Sequence, residues 1–291
     1  MTVLEAISTG VRSVAQSINA AVVSVGRDGR GSGLVIDNDV VLTNAHNIRG
    51  GEITITFADG RFEVGEVTAV DVDGDLAVVR VATNGAQPLE WADPAAVELG
   101  AAVFAAARGR DGGLRVTFGT VSAVGRAFRG PRGRRISGSV EHTAPLPRGS
   151  SGGALVDAEA HLIGVNTHRL PGGFYLARPT DDDLRRRVDE LLAGQVAEPR
   201  RIGVALASTE SAQRIRRAAG LGDIDGLLVR GVEDDSPAAR ADLREGDVIV
   251  AVDGTTVVSL DDLRDGLDRA ADEAQVLVVR GVGEVSLTVQ L

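Results

Sequence analysis

The sequence predicts a mainly β fold followed by a smaller α+β domain, and three observations support this prediction. Short β-runs separated by Asp-Gly and other glycine turns follow one another between residues 21 and 177, a pattern typical of barrels or a sandwich. Aromatic residues make up only 3% of the chain, so the cores must be packed with Val, Leu, Ile and Ala, a mix that favours β-structure. A length of 291 residues suggests about two domains.

The first domain is predicted to span residues 1–196. Apolar residues at near-helical spacing predict a helix within residues 1–19, and Thr180 is the predicted N-cap of a second helix that ends near Gly194. The strands predicted between these helices occupy residues 22–25, 33–36, 40–42, 53–57, 63–69, 76–81, 102–105, 116–124, 153–156, 162–166 and 175–177.

Residues 197–201 are predicted to be a linker, and residues 202–291 a second domain. Ser236 followed by Pro237 indicates a short helix start, Asp253-Gly254 a hairpin turn, and Ser259 the start of another helix. The strands predicted for this domain occupy residues 202–206, 226–229, 247–252, 276–280 and 284–289.

Composition and charge exclude several classes of function. The chain has no cysteine, so it has no thiolate chemistry and no disulfides. Its 31 basic residues are all arginine, and a net charge of -10 argues against non-specific nucleic-acid binding. No segment has the roughly 18 consecutive apolar residues of a membrane span, and residues 1–20 lack a signal-peptide pattern, so we expect a cytoplasmic protein.

Three short strings place a histidine, an aspartate and a glycine-flanked serine in that order along the chain. They are Thr43-Asn44-Ala45-His46, Asp73-Gly74-Asp75-Leu76-Ala77-Val78 and Gly149-Ser150-Ser151-Gly152-Gly153. His46 follows a predicted strand, and Asp75 leads directly into another. If the three side chains meet, Ser151 is the nucleophile of a serine protease, His46 its general base and Asp75 the acid that orients the base.

Other residues compete for two of these roles. Ser150 also carries a hydroxyl, but we prefer Ser151 because Gly149 then lies two positions before the nucleophile. The amides of Gly149 and Ser151 would then form the oxyanion hole. His142, His161 and His168 rank below His46 because none is matched by an acid-bearing segment like that of Asp75.

The chain resembles the HtrA (DegP-like) family of trypsin-fold serine proteases over nearly its whole length. The first part carries the motifs Gly31-Ser32-Gly33, Thr43-Asn44-Ala45-His46, Asp75-Leu76-Ala77-Val78, Gly149-Ser150-Ser151-Gly152-Gly153-Ala154-Leu155 and Ile163-Gly164-Val165-Asn166-Thr167; the second part carries Ser236-Pro237-Ala238 and Glu245-Gly246-Asp247-Val248-Ile249. Two departures from the family pattern are Ser150, which stands in place of Asn, and Asn47, which stands in place of an aliphatic residue.

The resemblance implies two six-stranded trypsin-like β-barrels followed by a PDZ domain. It implies no metal or organic cofactor and suggests a homotrimer as one assembly state, although the chain has no aromatic cluster near its N-terminus. The PDZ groove would bind C-terminal peptides between a strand and a helix. The residues predicted to form this groove are Arg201, Ile202, Gly203, Val204, Leu263 and Leu267.

Two further sites are predicted from the residues around the serine. The substrate pocket is predicted to have one wall at Ala144, Pro145 and Leu146 and the opposite wall at Gly164, Val165 and Asn166. Because this set contains no acid, we expect small aliphatic side chains on the acyl side of the cut bond. The five arginines between residues 126 and 135 read as a solvated loop or as a docking site for an acidic partner.

The sequence thus predicts an endopeptidase that cleaves unfolded or damaged proteins through an acyl-enzyme. Two alternatives remain open at this point. One is a peptide-binding or holdase protein that does not cleave, and the other is a latent enzyme whose oxyanion loop stays collapsed until a peptide occupies the PDZ groove.

Overall fold

The computed structural model describes residues 2–27, 29–93, 97–109, 112–131, 133–195, 200–218, 220 and 222–291, with the side chain of Ser137 excepted. Contacts divide the chain into two compact units, residues 1–197 and 198–291. Residues 196–199 lie outside the described residues, so the linker over 197–201 and the domain bounds stay a prediction.

The first unit begins with a helix and continues into two closed six-stranded barrels. Helix α1 (Val3–Ile18) starts at a capping box, in which the Thr2 amide donates to the Glu5 carboxylate and the Glu5 amide donates to the Thr2 hydroxyl. The first barrel has the strand order β1-β2-β3-β6-β5-β4. Its strands are β1 (Val22–Val25), β2 (Gly31–Asp37), β3 (Val40–Thr43), β4 (Glu52–Thr56), β5 (Phe62–Asp71) and β6 (Leu76–Arg80).

The second barrel repeats this layout with the order β10-β11-β12-β9-β8-β7. Helix α2 (Asp182–Leu192) follows, and its cap is Asp181 rather than the predicted Thr180. The Thr180 hydroxyl instead donates to the Leu162 carbonyl. The strands are β7 (Ala102–Arg108), β8 (Leu114–Arg129), β9 (Arg135–His142), β10 (Ala154–Val156), β11 (Leu162–Arg169) and β12 (Tyr175–Pro179).

Side chains from both barrels and both helices share one large core. Val14 and Ile18 of α1 and Leu184 of α2 are almost fully buried in it. Burying such side chains stabilises the fold by about 1.5–3 kcal/mol each. Buried Arg108 of β7 connects the second barrel to α1 and β1 by hydrogen bonds. Its guanidinium donates to the carbonyls of Val22, Gly112 and Asn19, and Asn19 is the C-cap of α1.

All eleven strands predicted for the first unit are present, but β9 was not predicted. The sequence predicts no strand over residues 135–142, and we interpret the arginine-rich residues 126–135 from the sequence as a solvated loop or a docking site. The structure corrects this interpretation: Arg126 and Arg129 lie on β8 and Arg135 begins β9. Arg126 forms an ion pair with Glu141 on β9, at 3.3 Å.

The second unit is a sheet with helices packed against it, and its strand order is β13-β14-β15-β17-β18 with β16 paired to β15. The Asp253-Gly254 turn has positive φ at both residues, as a tight hairpin requires. Helix α3 was not predicted. The helices are α3 (Thr209–Ala218), α4 (Pro237–Arg240) and α5 (Leu260–Arg269); the strands are β13 (Val204–Ala207), β14 (Leu227–Val232), β15 (Val248–Val252), β16 (Thr255–Thr256), β17 (Glu273–Arg280) and β18 (Gly283–Gln290).

These observations confirm the predicted fold class of two six-stranded barrels followed by a smaller α+β unit. Among the described residues, no helix combines the length and the apolar character that crossing a membrane requires.

Candidate active site

His46 and Asp75 form a hydrogen-bonded pair on the first barrel. His46 lies on a 3-10 turn (Ala45–Asn47) just after β3, and Asp75 lies just before β6. His46 Nδ1 is 2.9 Å from both carboxylate oxygens of Asp75, and the His46 amide donates to Oδ1 at 3.1 Å. The Asp75 side chain is 1% exposed and that of His46 34% exposed, so the carboxylate is shielded while the imidazole reaches the surface. Donation from Nδ1–H leaves Nε2 free to accept a proton.

The backbone of Asp75 is held in an unusual conformation by its neighbours. Its φ is 55°, in the left-handed region, which aspartate tolerates better than most residues. Asn44 Nδ2 donates to the Asp75 carbonyl at 2.9 Å. The Gly74 amide donates to Asp71 Oδ1 at 2.7 Å, and the Gly74 carbonyl accepts from Arg178 Nη1 at 2.5 Å. These bonds fix the turn that presents the carboxylate.

Ser151 lies in the turn that leads into β10 of the second barrel. Its hydroxyl donates to the Thr167 carbonyl at 2.8 Å. Its own carbonyl accepts from the Ser32 amide at 2.8 Å and from Asn47 Nδ2 at 2.9 Å. Asn47 is 2% exposed and also donates to the Thr43 hydroxyl. The polar residue that replaces the family's aliphatic one therefore ties the serine turn to the first barrel.

Thr167 connects the two halves of the site, and sequence reasoning missed this role. Its hydroxyl donates to Asp75 Oδ2 at 3.2 Å, while its carbonyl accepts from the Ser151 hydroxyl. His46, Asp75 and Ser151 are thereby brought into one hydrogen-bonded cluster. The only sequence feature that pointed to Thr167 was its position at the end of the motif over residues 163–167. The position of a residue within a motif does not reveal which carboxylate its side chain contacts.

The glycines around the serine allow close backbone contacts. Gly149 has φ 83°, and a Cβ there would lie 2.7 Å from the Gly29 carbonyl oxygen. Gly152 has φ 86°, and a Cβ there would lie 2.1 Å from the Ser32 carbonyl oxygen. Side chains are excluded at both positions. Within the described part of the chain, the amides of Gly149 and Ser151 donate no hydrogen bond to another protein group.

The hydroxyl of Ser150, the competing residue, donates to a group outside this cluster. Ser150 is 5% exposed, and its Oγ donates to the Pro147 carbonyl at 2.8 Å. A buried hydroxyl that donates to the backbone three residues earlier has no base within the cluster to activate it. This geometry favours Ser151 as the nucleophile.

A pocket of about 120 Å³ opens beside Ser151. Its buried lining combines Leu146, Tyr175 and Leu176 with the polar residues Ser150, Asn166 and Thr167, each at most 7% exposed. The Tyr175 hydroxyl donates to the Leu146 carbonyl. The lining residues are Leu146, Pro147, Arg148, Gly149, Ser150, Ser151, Asn166, Thr167, His168, Arg169, Tyr175 and Leu176.

Leu146 and Asn166 are the two predicted pocket residues that lie on this lining. Ala144 and Val165 are fully buried in the cores, and Gly164 pairs with Pro179 between strands. Pro145 is exposed but lies outside the pocket lining. The wall beside Ser151 is formed by residues 166–169 at the end of β11, so it begins at the last of the three predicted residues.

The three other histidines have different surroundings. His142 is fully buried, and its Nε2 is 3.0 Å from Asn166 Oδ1, while burial lowers its pKa to about 4. His161 pairs with Asp157 at 3.2 Å, in a turn. The His168 ring lies 6.2 Å from that of His46 and packs on Phe128, and burial lowers the His168 pKa.

The predicted peptide groove lies in the second unit. β13, which contains Val204, is an edge strand of the sheet, so its free side can pair with an added strand. Gly203 has φ 76°, and a Cβ there would clash with Ser236. Ile202, Leu263 and Leu267 are at most 3% exposed and pack together in the core, whereas Arg201 is exposed. No described group of three or more acidic, histidine or cysteine side chains is placed to hold a metal ion.

Comparisons with known proteins bear on both units. Residues 31–165 match the family model of the trypsin-like peptidase domain, and residues 228–281 match that of the PDZ domain. HhoA of Synechocystis sp., named as a serine protease, is 34% identical over 284 residues, which are 90% of this chain and 70% of HhoA. The serine endoprotease DegS of Escherichia coli is 28% identical over 274 residues, 90% of this chain and 75% of DegS.

A solved structure agrees with these sequence relatives. The HtrA-type protease AlgW with a tripeptide is 27% identical and superposes with a TM-score of 0.72, and the match covers 96% of each chain. The predicted family, enzyme class and PDZ module are confirmed, and the relatives favour a protease over a protein that does not cleave. The chain belongs to the HtrA (DegP-like) family of trypsin-fold serine proteases.

Proposed function

We propose that this serine endopeptidase cleaves unfolded or damaged proteins through an acyl-enzyme, with His46, Asp75 and Ser151 as its catalytic triad. The observation that carries the proposal is the single cluster in which Asp75 accepts from His46 and from Thr167, while Thr167 accepts from Ser151. An imidazole backed by a buried carboxylate and placed near a serine is the arrangement that activates a hydroxyl nucleophile.

The reaction requires one movement of Ser151. Its hydroxyl donates to the Thr167 carbonyl in the resting structure, so the side chain must rotate toward His46 Nε2 before attack. His46 then takes the hydroxyl proton as Oγ bonds to the substrate carbonyl carbon, and returns that proton to the leaving amine. A water molecule, deprotonated by the same imidazole, releases the acyl group and restores Ser151.

The amides of Gly149 and Ser151 would stabilise the negative charge on the substrate oxygen. Both lack a protein acceptor within the described residues, which leaves their N–H groups available to a ligand. Each such donor lowers the barrier by roughly 3–4 kcal/mol where the hole is formed.

The PDZ domain would bind C-terminal or exposed peptides at the free edge of β13. AlgW has been solved with a tripeptide, and an edge strand offers the backbone groups that an added peptide strand needs. Regulation of cleavage through this domain, a homotrimer and a cytoplasmic location remain predictions. The latent-enzyme alternative predicts slow basal cleavage that C-terminal peptides stimulate.

Incubation with a denatured, fluorescently labelled protein and a fluorophosphonate probe tests the proposal. We expect the wild type to release fragments and to be labelled at Ser151, and Ser151→Ala and His46→Ala to lose about 10⁴–10⁶ in rate. Ser150→Ala should still react with the probe, since the Ser150 hydroxyl donates to the Pro147 carbonyl. Unlabelled wild-type protein that produces no fragments, with or without a C-terminal peptide, would refute the proposal.

A further inference from the structure

The mouth of the pocket beside Ser151 carries positive charge. Arg148 and Arg169 are exposed, and the pocket lining contains no aspartate or glutamate. The guanidinium of Arg169 lies 5.8 Å from the centre of the Tyr175 ring, and both residues line the pocket. A side chain that enters this pocket would contact Leu146, Tyr175 and Leu176, and its neighbours in a peptide would lie near the two arginines.

A second hollow, of about 310 Å³, adjoins the serine turn from the first barrel. Asn47 lines this hollow and also donates to the Ser151 carbonyl at 2.9 Å. The pocket is lined only by second-barrel residues and this hollow only by first-barrel residues, and the bond from Asn47 to Ser151 connects the two linings. The charged residues of the hollow are Arg27, Arg30, Arg49 and Glu52.

The two linings together hold five exposed arginines and one glutamate, although the chain as a whole has a net charge of -10. Within the described residues, none of these five arginines is ion-paired with a carboxylate. Other arginines of the unit, such as Arg61 and Arg187, do form ion pairs with carboxylates. The two linings thus carry a net positive charge beside the serine turn.

We propose that the cleft selects acidic segments of its substrates, with aspartate or glutamate on both sides of the cut bond and an aliphatic residue in the pocket. This inference rests on the proposed function. Guanidinium groups bind carboxylates through paired hydrogen bonds, and a cationic cleft raises the local concentration of an acidic peptide. Each exposed pair contributes little, so the preference should come from several arginines together and should weaken with salt.

Three peptides of equal length test the proposal on the wild-type enzyme. Each has valine as the residue whose carbonyl is attacked, and the two residues on each side are glutamate, glutamine or lysine. We expect kcat/KM to fall about ten-fold or more from the glutamate to the lysine peptide at low ionic strength. At about 0.5 M salt the ratio should shrink several-fold.

Charge-reversal variants identify the groups responsible. Arg148→Glu and Arg49→Glu should each lower the glutamate-to-lysine ratio of kcat/KM by about five-fold or more, and the double variant should lower it further. Arg12→Glu, an exposed arginine on α1, is the matched control and should keep the wild-type ratio. Because the readout is a ratio between peptides, partial loss of folded protein does not affect it.

The outcomes separate the two proposals. Cleavage of all three peptides at similar rates, with loss of cleavage in Ser151→Ala, would overturn the acidic preference and leave the protease intact. Cleavage of no peptide and of no denatured protein would remove the proposed function itself.

Discussion

Arg178 of β12 donates through Nη1 to the carbonyl of Gly74, and Gly74 directly precedes Asp75. Arg178 is 6% exposed, and its Nη2 also donates to Asp183 of α2 at 2.9 Å. The second barrel thereby holds the turn on the first barrel that presents the carboxylate. This bond makes the geometry of the candidate triad depend on how the two barrels pack.

Arg178→Met should therefore weaken both stability and catalysis. The variant leaves the Gly74 carbonyl without its donor and Asp183 without a buried partner, and we expect a loss of about 2–4 kcal/mol in the free energy of unfolding. Urea unfolding and kcat measure the two effects. Arg186→Met removes an exposed arginine that pairs with the same carboxylate and should change either quantity far less; equal effects of the two variants would contradict the role of Arg178.

Thr167→Val should lower kcat about ten-fold with little change in KM. Valine keeps the shape of the side chain but removes the hydroxyl that donates to Asp75 Oδ2, so the carboxylate orients the imidazole less well. Steady-state kinetics on one peptide provides the measurement. Thr167→Ser restores the hydroxyl and should recover most of kcat; failure of serine to rescue would assign the loss to packing instead.

Asn47→Leu should reduce activity by loosening the serine turn. Leucine cannot donate to the Ser151 carbonyl or to the Thr43 hydroxyl, and both acceptors are partly or fully buried. We expect a destabilisation of about 1–3 kcal/mol and slower reaction of Ser151 with a fluorophosphonate. The exposed Asn38→Leu serves as control, and equal probe rates in both variants would show that the amide does not hold the serine.

His142 should make the protein less stable in acid. Asn166 Nδ2 donates to the Ala154 carbonyl, so Asn166 Oδ1 accepts from His142 Nε2–H. The remaining nitrogen, Nδ1, is buried without a partner within the described residues. Protonation would place a charge there that nothing compensates, which is why the folded pKa is held at about 4.

Between pH 6.5 and about 4 the unfolded chain binds a proton at this histidine that the folded chain does not. The free energy of unfolding must therefore fall as pH falls through this window, by about 3 kcal/mol in total. Urea unfolding at pH 7, 6, 5 and 4 measures this trend. His142→Gln keeps a donor for Asn166, and its free energy of unfolding should depend less on pH than that of the wild type. The same pH dependence in both proteins would show that His142 does not cause it.

The sequence predicted the parts of the site that depend on local pattern. His46, Asp75 and Ser151 each stand at a strand edge in a short recognisable string, and the structure brings them into one cluster. The sequence did not predict the contacts of Thr167 or the residues that line the pocket, because both depend on where β11 leaves the barrel. The substitution at Asn47 was visible, but its contact with the Ser151 carbonyl depends on residues 104 positions apart meeting in space.

The division of the cluster between barrels has a consequence for synthesis of the protein. His46 and Asp75 are synthesised before residues 150–180, because the chain grows from its N-terminus. Hydrolytic chemistry cannot begin until the later barrel closes around its serine. A nascent chain that ends before Ser151 therefore lacks the proposed nucleophile and cannot form the acyl-enzyme.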